Sequence, residues 1–302
     1  MITIIVLGVL VGAVLGMTGA GGGIFAVPAL VYGLGWGVAQ ASPIALMAVA
    51  VAAAVGTIEG MRKGLVRYKA AILMAIAGVS VTSLGLRAAQ AMPEAALLSL
   101  FALAMIIVAF RMYRSSVPNR GSVSTSVDLK IPCRINPSTG RLRWTVASAA
   151  TLIAIGLVSG FLTGLLGVGG GFVIVPALKR LSDIIMQGVI ATSLMVIALV
   201  AGGAVFVSWW HGAQISQQVT IPFVIATAFG MIVGRVLVSR IPAQILQRAF
   251  ALLMVVVACS FLWKATSIRG NAFGVFLMVE RESLSEELTG KMTPSKFGDR
   301  HN

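Results

Sequence analysis

Apolar residues in this chain run in long blocks rather than alternating with polar ones. Blocks at 2–34, 39–58, 70–90, 95–112, 144–178, 187–210, 218–239 and 244–263 stand out, separated by short stretches richer in polar and basic residues. A helix needs roughly 20 apolar residues to cross a bilayer, so the pattern predicts an all-α, polytopic membrane protein of eight hydrophobic blocks. The first block has no basic n-region, and its small residues continue into glycines. It reads as a retained segment rather than a cleaved signal peptide.

The block at 144–178 is too long for one span. If wholly helical it would reach about 52 Å, against a hydrocarbon core of roughly 30 Å. Its length points to a break, and the glycines show where. Residues 16–23 read GMTGAGGG and residues 164–171 read GLLGVGGG, both G-x-x-G-x-G-G-G. Each is followed by a proline opening the same tripeptide, Pro28-Ala29-Leu30 and Pro176-Ala177-Leu178. Pro93 and Pro242, then Phe101-Ala102-Leu103 and Phe250-Ala251-Leu252, correspond near the end of each half. Five glycines matching by chance have a probability on the order of 10⁻⁵ per window at this glycine content, so the chain reads as a duplicated unit. The expected organisation is a first transmembrane repeat over 1–112, a basic cytoplasmic linker over 113–143, a second repeat over 144–268 and a polar tail over 269–302.

Loop charge gives the two repeats an orientation. In the first, the loop after the second block is basic (Arg62, Lys63, Arg67, Lys69), whereas 33–42 carries no charge. In the second the phase flips: Lys179 and Arg180 follow the first block, and 211–218 has no Lys or Arg. Basic loops stay in the cytoplasm, so the halves are expected to face opposite ways, with an odd number of crossings each or a re-entrant first helix. Eight plain helices with both termini inside is the competing arrangement.

Composition narrows the function. The chain is 58% hydrophobic and 11% charged, with a mean hydropathy of +0.98. Soluble domains carry roughly 25% charged residues, which excludes that class. Two cysteines and two histidines supply neither a disulfide framework nor a clustered metal or haem site, so no cofactor is expected. The net charge of +14 comes from bases that sit mostly between apolar blocks. The partner this implies is anionic lipid at the cytoplasmic membrane rather than nucleic acid.

Five glycines in eight residues cannot continue a helix cheaply, at about 1 kcal/mol each against alanine. Broken backbone within hydrocarbon survives only where protein or a wet cavity satisfies it. Gly19, Gly21, Gly22 and Gly23, with Gly167, Gly169, Gly170 and Gly171, would therefore present backbone N–H groups at the start of two half-helices. Such N–H groups, with the positive end of a helix dipole, form an anion site that needs no charged side chain. Close helix packing is the competing use of the same glycines.

The duplicated octet with its Pro-Ala-Leu segment, together with the basic stretch GMRKGLVRYKAA at 60–71, resembles the TauE/SafE family of membrane transporters, the sulfite exporters. The resemblance runs over about residues 5–265. It implies secondary transport of a small sulfur-containing anion such as sulfite or an organosulfonate, by export coupled to an ion gradient of protons or sodium. Where the family leads one to expect Gly-Thr-Ser at the head of the next helix, this chain has Ala41-Ser42-Pro43 and Ala191-Thr192-Ser193.

Ser42, Thr192 and Ser193 are thus expected at helix heads, where a hydroxyl either caps the helix or meets an anion oxygen. Arg87 and Arg235 lie near helix ends, either snorkelling to the interface or facing a cavity. Glu59, beside Arg62 and Lys63, reads as a surface pair, with proton coupling as the alternative. No grouping of Ser, His and carboxylate is spaced for catalysis, so an enzyme is not expected. A membrane scaffold whose glycines only pack helices is the rival to a transporter.

Overall fold

The computed structural model describes residues 1–19, 21–116, 145–181, 185–210, 216–238 and 248–267. Most of the expected linker and the whole of the expected tail lie outside them, as does Ala20 of the first octet. The described chain is helical: α1 (Ile2–Thr18), a 3₁₀ turn (Gly22–Phe25) leading into α2 (Ala26–Leu34), α3 (Val38–Arg62), α4 (Tyr68–Ala91), α5 (Glu94–Ser116), α6 (Val146–Leu166), α7 (Gly171–Leu181), α8 (Met186–Trp210), α9 (Gln217–Val238) and α10 (Arg248–Ser267). Seven of these (α3, α4, α5, α6, α8, α9 and α10) are long and apolar enough to cross a membrane. The two expected blocks that contain an octet are each divided in two by it, giving ten helices from eight blocks among the described residues.

Local chemistry accounts for the ends. Gly19 closes α1 at φ 75°, and Gly167 closes α6 at φ 71°, a backbone region that a side chain enters only at a cost. Thr145 and Ser148 form a capping box at the start of α6, with Ser148 N–H donating to Thr145 Oγ1 at 3.1 Å and Thr145 N–H to Ser148 Oγ at 2.9 Å. Pro43 lies inside α3, one residue after Ser42, whose hydroxyl donates back to the Val38 carbonyl at 2.7 Å.

Small residues set the packing. Gly8, Gly12 and Gly16 of α1 lie directly on α9, where methyl groups would meet Ala226, Thr227 and Met231 in turn. Gly156, Gly160 and Gly164 of α6 lie on α4 at Met74, Gly78 and Thr82. Thr82 Oγ1 also approaches the Gly160 carbonyl at 3.3 Å. In both pairs residue numbers rise together, so α1 runs parallel to α9 and α4 parallel to α6. Backbone-to-backbone approach of this kind is how helices associate where lipid removes the hydrophobic drive between them.

The same contacts fix the remaining directions. Gly60 of α3 meets Ala191 of α8, Gly56 meets Leu194, and Leu46 packs with Ala201 and Ala204, so α3 and α8 are antiparallel. Gly56 also meets Met231 and Arg235 of α9, which places the C-terminal ends of α3 and α9 together. Hence α1, α3 and α9 point one way, and α4, α6 and α8 the other. The order of elements over 2–116 recurs over 146–267, and α1, α3 and α4 run opposite to α6, α8 and α9, their counterparts in that order. Within the first half α2 folds back along α1, with Gly22 against Leu15 and Gly33 against Leu7. Among the described residues each half has five helices, an odd number, so its first and last helices run in the same direction.

Candidate functional site

The two glycine breaks meet at the centre of this arrangement. A methyl group built on Gly23 would lie 3.0 Å from the Val168 carbonyl oxygen, and Val49 of α3 stands against both Gly23 and Gly169. Ile197 of α8 also touches Gly169, and Val49 and Ile197 are both fully buried. The breaks differ in detail. The first tightens into the 3₁₀ turn, with Ile24 N–H donating to the Gly21 carbonyl at 3.5 Å. The second stays open through Gly169 and Gly170, at φ 78° and 63°, before α7 begins. Val173 and Ile174 N–H then donate to the Gly170 carbonyl at 3.1 and 3.3 Å, which leaves Gly171 and Phe172 N–H ahead of the first helical bonds.

The glycines of each octet divide the work. The first of each, Gly16 and Gly164, serves helix packing against α9 and α4. Gly22 and Gly170 are closed in: a methyl on Gly22 would strike the backbone of Leu15 and Val14, and one on Gly170 would strike Ser159 and Thr163. Gly21 is half-open, with only Thr18 nearby at 4.0 Å.

Two cavities flank the meeting point at opposite ends of the bundle. The larger, about 680 Å³, opens where α3 and α9 end and α8 begins. Gly16, Gly19 and Gly21 line it, as do Phe172, Pro176, Gln187 and Ile190. Among the described residues its charged lining is Lys63, Arg111, Lys179 and Arg235, with Glu59 as the one carboxylate, four cations against one anion. The smaller, about 290 Å³, lies at the other end and is uncharged: Ser42, Pro43, Thr82, Gln90, Gly164, Leu165 and Ser208 are among its lining.

The residues singled out in the sequence fall in different places. Arg235 lines the cationic cavity, paired with Glu59, whose second oxygen accepts from Lys63 at 2.6 Å. Ser42 lines the uncharged cavity and lies against Gly167. Thr192 is buried, and its Oγ1 accepts from Arg67 N–H at 3.1 Å, tying α8 to the start of α4. Ser193 is fully buried, and among the described residues its Oγ is a buried side-chain oxygen without a hydrogen-bond partner. Arg87 is exposed on α4 and lines neither cavity. The alignment of Ser42 with Thr192 shifts: Ser42 stands against Gly167 as Ile190 stands against Gly19, so the counterpart of Ser42 in the second half is Ile190.

Sequence reasoning missed two features. Lys63 and Lys179 read as loop charges yet converge with Arg111 on one cavity. Glu59 takes a second partner from α9, far away in sequence; its wrong-signed charge inside a basic cluster was the one signal available.

Paired half-helices meeting between two cavities, within a bundle of seven helices of spanning length, define a multi-pass helical membrane protein built as transporters are. Comparison with known proteins makes this specific. The family described as "Sulfite exporter TauE/SafE" matches residues 4–261, and the chain belongs to it. A "Probable membrane transporter protein" of Xylella fastidiosa (strain Temecula1 / ATCC 700964) is 28% identical over 262 residues, covering 85% of this chain and 93% of the relative. Its counterpart in strain 9a5c is 29% identical over 267 residues, with the same coverage. No solved structure matches. The chain is a multi-pass membrane protein of a transporter family, in keeping with the cytoplasmic membrane.

Proposed function

We propose that this protein is a secondary transporter that exports small sulfur-containing anions, sulfite or organosulfonates, across the cytoplasmic membrane. The observation that carries the reading is the 680 Å³ cavity, where four cations and the edges of both glycine breaks converge. Positive inward loops put this cavity on the cytoplasmic side and the uncharged cavity on the outside. An anion then enters a cationic mouth and passes to half-helix N–H groups at the breaks, where the dipole of α7 favours negative charge. It leaves through a mouth lined by hydroxyl and amide groups, which holds it less strongly. Opposed halves around a fixed centre suit alternating access by rocking, with an ion gradient as the source of work.

Efflux from proteoliposomes loaded with sulfite, sulfate, thiosulfate or methanesulfonate, with and without a proton gradient, tests this. Sulfite or sulfonate flux above protein-free vesicles is expected. Arg235→Gln should raise KM, whereas Arg87→Gln, whose side chain lines neither cavity, should leave it unchanged. Flux equal to empty vesicles for every anion refutes the proposal.

A further inference from the structure

Glu59 is out of place in a cavity for anions. It comes from α3 to meet a cation of α9, in the other half of the chain, and its two oxygens are divided between Lys63 and Arg235. The Arg235 side chain is 20% exposed and that of Glu59 42%, so the pair stands in the cavity wall rather than in open solvent. Arg235 is also held from behind: a methyl on Gly56 would lie 3.4 Å from its Nη2, and one on Gly16 would lie 3.1 Å from its backbone nitrogen. A guanidinium so fixed offers a planar fork of donors to whatever oxygens stand before it, and the oxygens of a sulfite or sulfonate suit that fork as a carboxylate does.

We propose that Glu59 is a built-in competitor of the transported anion. Its carboxylate occupies on Arg235 the place that the substrate takes, and substrate entry leaves Glu59 on Lys63 alone. This rests on the anion-transport reading above and adds a coupling device to it. A cation carried uncompensated toward hydrocarbon is costly, so an empty carrier needs Arg235 neutralised before its halves can rock back. Glu59 supplies that neutralisation when no substrate is bound, while Arg111 and Lys179, the other cations of the cavity, keep it attractive to the next anion.

Three variants of the full chain test this, with binding of sulfite and of methanesulfonate measured in detergent and transport measured in proteoliposomes. Glu59→Gln should tighten both anions about threefold to tenfold, the worth of a part-exposed ion pair set free. Its KM should fall while net efflux slows several-fold, and anion-for-anion exchange, which never needs an empty carrier to return, should persist at the wild-type rate. Glu59→Asp should restore near wild-type behaviour. In an Arg235→Gln background, itself weaker in binding, Glu59→Gln should change nothing, because the two residues act as a unit. If Glu59→Gln leaves binding unchanged or weakens it while Arg235→Gln weakens binding, the competitor idea is overturned and the cavity stands as an anion site. If Arg235→Gln binds both anions as wild type does, the competitor idea falls together with the placing of the anion at Arg235.

Discussion

Gly170→Ala separates two reasons why an octet glycine cannot be replaced. The residue sits at φ 63°, where a side chain costs about 1 kcal/mol through its own backbone. The added methyl would also lie 2.7 Å from both the Ser159 carbonyl oxygen and Thr163 Oγ1, and closer still to Ser159 Oγ. Ser159 and Thr163 are fully buried on α6, and the Ser159 hydroxyl donates to the Gly170 carbonyl at 3.3 Å, so neither can withdraw freely. Forcing a methyl into such a site costs about 1–3 kcal/mol more. The sum is about 2–4 kcal/mol. Gly35→Ala supplies the control, since Gly35 shares the positive φ, at 70°, but has nothing within 4 Å of the new methyl. It should lose only the backbone part, about 1 kcal/mol. Denaturant titration of both variants in detergent measures the difference, and sulfite efflux shows whether the break must keep its shape for transport. Equal stability of the two variants would refute the packing argument. Full transport by Gly170→Ala would show that the geometry of the second break does not matter to function.

Two further outcomes follow from the fold. Single cysteines at Ile2 and Gly35, in a chain without Cys133 and Cys259, should react with an impermeant maleimide from outside, while one at Gly64 should be protected until the membrane is opened; labelling of Ile2 and Gly35 from opposite faces would overturn the helix directions. Thr192→Val removes the acceptor for Arg67 N–H and should cost about 1 kcal/mol in denaturant titration, with little change in sulfite KM, since Thr192 holds α4 rather than lining a cavity.

Much of the architecture was legible because hydropathy is a property of one segment at a time. Blocks of apolar residues gave α3, α4, α5 and α8 nearly at their observed bounds, and five glycines in eight positions marked both breaks. Loop charge pointed to halves facing opposite ways, and the helix contacts have α1, α3 and α4 running against α6, α8 and α9. Pairwise facts were out of reach. The residues around Glu59 do not announce Arg235, since their meeting depends on how closely α3 and α9 approach, and that is set by Gly56. Matching Ser42 to Thr192 by residue type misread a register that Gly19 and Gly167 set through what each touches. Lys179 was read for sidedness alone, because a sequence does not say which way a side chain at a helix end turns.

The parallel contact of α1 with α9 has a consequence for how the chain is made. Gly12 rests on the backbone of Thr227, roughly 215 residues later, and synthesis at about 5–20 residues per second puts some 10–40 s between them. Over that interval the glycine face of α1 has no permanent partner. The α4 and α6 pair, joined between Thr82 and Gly160, is complete far sooner. Helix α1 is thus synthesised long before it can be seated, and the insertion machinery or a neighbouring lipid must shelter a bare glycine stripe until α9 arrives.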